Sequence, residues 1–235
     1  MGKIYKSSPV KILMARQIKI ESIFIPEIKR YFDAILLEFS KTGKVEKHIK
    51  ATEDLLRKNY IRTSKAFSKD LRNQKSAEYD IDKEINVILA IAISKKTKEQ
   101  SKIISKTNTT ELESALITSK GDIEEAVEIV KPQFENRIEI IAEMETGSMA
   151  GESRDIEAIG ISVGVNKSTK TWNALLDKRT RVSHAMADGQ KVKILSHFIV
   201  AGEKLRFPKD ASLGASTKNI MGCRCISEYR IELFE

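Results

Sequence analysis

The chain has 235 residues, 41% hydrophobic and 31% charged, a balance that supports a buried core in one large domain or two small ones. Its longest apolar run, Ile85 to Ile93 with Asn86 inside it, falls far short of the roughly 20 residues a membrane-spanning helix needs. The first residues lack the apolar stretch and cleavage site of a secretory signal, so assembly in a cytoplasm and no membrane partner are expected.

The net charge of +8 is unevenly spread. Residues 1–110 carry 24 Lys and Arg against 13 Asp and Glu, or +11, whereas residues 111–235 carry 17 against 20, or −3. A basic half points to an acidic partner, with double-stranded DNA the commonest, although Lys-rich helices are also ordinary solvated surfaces. Lys95, Lys96, Lys98 and Lys102 are the densest candidates for such contacts.

From about Glu27 to Val130 apolar residues recur every three or four positions, and no proline lies between Pro26 and Pro132, which predicts consecutive helices. The first places Ile28, Phe32, Ile35, Leu36 and Phe39 on one face and stops at Gly43. The second carries Leu56, Tyr60, Thr63, Phe67 and Leu71; a third runs through Ile85, Ile88, Leu89 and Ala92 towards a Lys-rich end. Thr110-Glu111-Leu112-Glu113 has capping-box spacing and predicts a helix start, Gly121-Asp122 a break with Asp122 capping the next helix, and Pro132 that helix's end. Phe134, Ile138, Ile141 and Met144 then share a helical face, and glycines at 147, 151, 160 and 164 suggest a looser stretch.

The last third changes character. A helix is expected from about Thr171 to Ala187, ended by Asp188-Gly189, and Phe198–Val200 with Leu205–Phe207 reads as a hairpin. The final segment alternates, with Cys223, Cys225, Ser227, Tyr229, Ile231 and Leu233 on one face and Arg224, Glu228, Arg230 and Glu232 on the other, which predicts a strand. The fold class expected is α+β: a predominantly α-helical N-terminal half and a small C-terminal α+β module with a short antiparallel sheet. The division expected is a basic helical region over 1–130 and a second domain over 131–235.

On the expected helix, Asp177, Arg181, His184 and Asp188 fall along one side, where Asp177 can pair with Arg181 and Asp188 can hold the imidazole. The two cysteines sit in one tripeptide, Cys223-Arg224-Cys225, so they frame no long-range disulfide. With His184, and Asp188 as a further donor, they are the candidate metal ligands, and zinc prefers thiolate and imidazole. On a regular strand, side chains two apart stand nearly 7 Å from each other, too far to share one ion unless Gly222 supplies a turn. Buried thiols beside a satisfied histidine, and a strained disulfide, are the competing readings. No P-loop, dinucleotide glycine pattern or converging carboxylate set is present, so no catalytic residue and no enzyme is expected; the alternative is a metal-binding enzyme or toxin-like domain built on His184, Cys223 and Cys225.

Taken in order, Trp172, Asp177, Arg179-Thr180-Arg181, His184, Asp188-Gly189, Phe207-Pro208 with Asp210, and Cys223-Arg224-Cys225 resemble the phage Mu protein F-like minor head domain. Arg137, Ile141-Ala142 and Glu145-Thr146 are similar to the helix that precedes that core in the family, so the likeness spans roughly residues 130–230. Two positions depart from it: Gly222 stands where many members have asparagine, and Lys209 replaces the usual glycine after the proline. The resemblance implies a non-catalytic virion protein of a tailed phage, inside the head near the portal, that assembles in host cytoplasm with portal and major capsid proteins as partners. Some members contact packaged DNA or aid its delivery, which the basic half would suit through sequence-nonspecific phosphate contacts. Family members can carry toxin modules, and none is expected here after Glu235.

Overall fold

The structure is a computed structural model and describes residues 4–6, 8–68, 70–71, 81–162 and 167–232. In chain order the elements are β1 (Ile4–Lys6), α1 (Val10–Thr42), α2 (Ile49–Phe67), α3 (Ile81–Thr118), α4 (Ile123–Ile161), β2 (Thr169–Asn173), α5 (Val182–Met186), β3 (Lys191–Lys193), β4 (Phe198–Val200), β5 (Glu203–Leu205), α6 (Thr217–Ile220) and β6 (Ile226–Glu232). Four long helices therefore precede a small region of short antiparallel strands, the α+β arrangement expected.

The helices pack where their apolar spacing demands. Phe24, Ile28, Phe32, Ile35 and Phe39 of α1 meet Leu56 and Tyr60 of α2, Ile104, Leu112 and Ala115 of α3, and Ala126, Val130, Phe134 and Ile138 of α4 in one core. Gly43 takes a left-handed conformation and returns its N–H to the Phe39 carbonyl, so α1 ends as predicted. Asp122 accepts the Glu125 N–H and caps α4 as predicted. No helix among the described residues is long and apolar enough to cross a membrane.

Four local signals are overridden. α1 begins at Val10 rather than near Glu27 and passes through Pro26, because Leu13, Ile20 and Phe24 continue the buried face upstream of it. α4 passes through Pro132, which was expected to end it: Ala126 and Val130 before the proline and Phe134 and Ile138 after it lie on one buried stripe, and that burial outweighs the missing backbone bond. The Thr110 capping box starts no helix, since α3 runs unbroken through it with Leu112 and Ala115 in the core. For the same reason the lysines at 95 to 98 lie inside α3 rather than at its end, and Ile88, assigned to the packing face, is half exposed while Leu89 is buried. The side chain of Ile85, also assigned to that face, lies outside the described residues.

The glycines at 147, 151 and 160 are helical, not a loose stretch, and Gly164 falls outside the described residues. A Cβ on Gly151 would lie 2.5 Å from the Phe207 ring, and one on Gly147 would lie 2.7 Å from Lys209 Nζ. Both are glycine because the segment 207–209 packs directly on the α4 backbone.

One sheet has the order β1-β6-β2-β3, all antiparallel, so β1 from the beginning of the chain pairs with the last strand, with Tyr5 opposite Ile231. In its centre β2 and β6 align Lys170 with Tyr229 and Trp172 with Ser227. β4 and β5 form the expected hairpin, but β5 begins at Glu203; Ala201 and Gly202 alone make the turn, both at positive φ, which matches the right-handed twist of the flanking strands. Ser227, Tyr229 and Ile231 are buried as the alternation predicts, and Leu233 lies outside the described residues.

Candidate metal centre

The segment read as a helix from Thr171 to Ala187 is instead the strand β2, an irregular stretch, and the short helix α5. The polar stripe expected on that helix therefore does not form. Asp177 pairs with Arg224 rather than Arg181, and also accepts the Arg179 N–H and the Thr180 hydroxyl. The Arg224 guanidinium holds the Asp177 carboxyl down to about 2. Arg181 donates to the Met221 carbonyl. Asp188 accepts the Ala174 N–H at 2.7 Å and does not hold the imidazole. Next to it Gly189, at a φ of 74°, donates to the Trp172 carbonyl at 2.8 Å, which ties the chain after α5 back onto β2.

His184 of α5 instead meets the two cysteines. Its Nδ1 lies 3.4 Å from Cys225 Sγ, and ligand atoms of His184, Cys223 and Cys225 all fall within 4.8 Å of one another. All three residues are buried. The cysteines precede β6 instead of standing on it, and Gly222 before them has a φ of 61°, a left-handed turn that draws the two thiols together. Asp188 is not part of this group.

Trp172 forms one wall, its ring edge-on to the imidazole with centroids 5.8 Å apart and edge-on to Phe198 at 5.3 Å. A cavity of about 10 Å³ touches His184, Cys223 and Cys225 and is also lined by Arg179 and Arg181. The thiols are electrostatically unequal: a hydrogen bond from Cys225, with His184 beside it, holds Cys223 well below the ordinary thiol value against the opposing effect of burial. The Cys223 sulfur and burial together push Cys225 up.

The remaining sequence candidates are dispersed. Arg137 lies in the helical core, donating to Asn108 at 2.8 Å and Glu111 at 2.6 Å and covering the Phe32 ring. Arg179 is exposed. Pro208 is buried and lines a small cavity together with Gly147 and Gly151. Lys209, which departs from the family pattern, sits at a φ of 67°, where a glycine would be relaxed. Its buried ammonium donates to the Glu143 carbonyl and carboxylate, which offsets the strain. Lys95, Lys98 and Lys102 are exposed on α3, whereas Lys96 turns inwards to donate to Ser148 at 2.7 Å and face Glu152.

Two polar groups escaped the sequence reading. Asp155 of α4 and Lys170 of β2 form a buried ion pair, visible only once Lys170 is placed on the inward strand face it shares with Trp172. Asp210, noted earlier only as part of the resemblance, organises the loop after β5: it accepts the Arg206 N–H at 2.9 Å, its Nε at 3.1 Å and the Ser212 N–H at 3.0 Å. Burial opposes ionisation of Asp210, but Arg206 prevails and holds it below its ordinary 3.8. The stability it contributes is present above pH 3.8 and is lost as pH falls through the lower folded value. Asp210→Ala should cost about 2–3 kcal/mol in urea unfolding at pH 7. The gap to wild type should narrow once the carboxyl is protonated, and an equal gap at both pH extremes would contradict this account.

No family model matches the chain, and neither do any curated proteins or solved structures.

Proposed function

We propose that the chain is a non-catalytic minor head protein of a tailed phage, placed inside the head near the portal, with its basic helical half turned towards packaged DNA. The observation that carries this reading is the ordered residue set from Arg137 to Cys225 that resembles the Mu protein F-like domain. Those residues serve as internal ties: Arg137 binds α3 to α4, Trp172 and His184 pack together, Asp177 pairs with Arg224, and Gly189 docks the chain after α5 on β2. A buried cluster beside a cavity of about 10 Å³ has room for roughly one water and none for a substrate, which favours an organising role over catalysis. Portal and major capsid proteins are the partners this placement implies. The test is quantitative mass spectrometry of DNA-filled particles of the phage that encodes the chain. A few copies per head are expected; absence from the particles overturns the reading.

The lysines of α3 support the DNA contact. Lys95, Lys98 and Lys102 recur at helical spacing, so one exposed face presents three ammonium groups. Replacing all three with Gln should weaken binding to duplexes of any sequence and flatten the slope of log K against log salt by roughly 2–3, about 0.9 per lost phosphate contact. An unchanged slope in the variant would remove this face from the DNA contact.

A further inference from the structure

We propose that His184 Nδ1 and the Sγ atoms of Cys223 and Cys225 bind one zinc ion, with a water in the fourth position, and that the ion clamps α5 to the segment leading into β6.

Tetrahedral zinc takes thiolate sulfur at about 2.3 Å and imidazole nitrogen at about 2.1 Å, which sets a nitrogen and a sulfur on the same ion about 3.5 Å apart. His184 Nδ1 and Cys225 Sγ stand at 3.4 Å, and all three donor atoms fit within 4.8 Å, so closing the shell needs side-chain adjustment and no backbone rearrangement. Spacing alone argued against this, because one intervening residue on a strand holds thiols apart. The left-handed Gly222 removes that objection, since the cysteines lie in the turn before β6.

The chemistry selects the ion. Two soft sulfurs and one imidazole, with Asp188 engaged elsewhere, suit zinc and exclude the oxygen-seeking magnesium and calcium. In the complex both cysteines are thiolates and the imidazole is neutral; any thiol proton goes to solvent, and nothing is oxidised or reduced. Two thiolates neutralise the divalent ion, so the complex can be buried without an unpaired charge. The cavity of about 10 Å³ that touches all three ligands is of the size one water needs for the remaining position. Arg224, which lies between the two cysteines in the chain, is paired with Asp177 and does not face the ion as a free cation.

The test uses the full chain, purified under reducing conditions from zinc-supplemented cells. Elemental analysis should find roughly one zinc per chain. After chelation, added cobalt(II) should give a thiolate-to-cobalt charge-transfer band and the visible absorption of a tetrahedral ion, and should quench the fluorescence of Trp172, the chain's single tryptophan. Cys223→Ser and Cys225→Ser should each lose the cobalt band, with circular dichroism reporting whether the helices persist. Reduced, folded wild-type chain that holds no zinc and gives no cobalt spectrum overturns the proposal without reference to any variant. A Cys223–Cys225 disulfide in freshly isolated protein overturns it as well.

Discussion

Asp155→Ala is expected to lower stability by about 3–5 kcal/mol at neutral pH, because it strands a charge where water does not reach. Lys170 Nζ lies 3.1 Å from Asp155 Oδ1, and the two side chains are 2% and 1% exposed. Tyr229 donates to the same oxygen at 3.3 Å, so one carboxylate joins α4 to both central strands of the sheet. Removing it leaves an ammonium in a low-dielectric core without its counter-charge. The pair as a unit is worth far less than that loss suggests: burial raises the Asp155 carboxyl above its ordinary 3.8 in spite of Lys170. Asp155→Leu combined with Lys170→Met should therefore recover most of the stability. The pH dependence has the opposite sign to that of Asp210, since stability tied to Asp155 is full below pH 3.8 and declines as pH rises through its folded value. Urea denaturation of both single variants and the double variant reads this directly. A single-variant loss under about 1 kcal/mol would mean that water reaches Lys170 and that the pair is not a buried one.

What could be read from residues alone was what depends on neighbours in sequence. The Gly43 stop, the Asp122 cap, the second helix as far as Phe67 and a hairpin from Phe198 each rest on local chemistry and form, although Leu71 falls past the helix end and the hairpin's second strand is 203–205 rather than 205–207. The errors came where distant packing overrode a local rule. Pro26 and Pro132 sit inside helices because a continuous apolar face is buried on both sides of them. Residues 171–187 misled for a different reason: Asp177, Arg181, His184 and Asp188 have helical spacing, whereas the partner that makes Thr169–Asn173 a strand is β6, far along the chain. The metal cluster was legible as a set of residue types but not as a geometry, since whether Cys223 and Cys225 converge depends on the backbone turn at Gly222. The helical glycines at 147 and 151 could not be understood without the Phe207 and Lys209 side chains that lie on them.

Trp172→Ala should cost about 3–5 kcal/mol, a large share of the stability of an ordinary domain. Trp172 is fully buried on β2, which pairs on both sides with β6 and β3, and it touches the cluster of Phe198, Val200, Leu205, Ile220, Cys223 and Cys225. β6 on one side and Gly189 and Gln190 on the other hold its backbone, so the space left by truncation cannot close and the cavity penalty applies in full. Trp172→Phe should lose much less than half as much. It keeps an aromatic edge towards Phe198 and fills most of the space the indole occupies, so much of the packing is retained. Unfolding followed by far-ultraviolet circular dichroism compares both variants with wild type without relying on tryptophan emission. The alanine variant carries a second consequence, because the same ring is the wall against which His184 rests. With that wall gone the imidazole gains rotamer freedom, and fixing Nδ1 beside Cys225 again becomes part of the free energy of binding a metal. The cobalt complex of Trp172→Ala should be weaker than that of Trp172→Phe even at temperatures where both are folded. Equal cobalt affinity in the two would make Trp172 a core residue only, with no part in positioning His184.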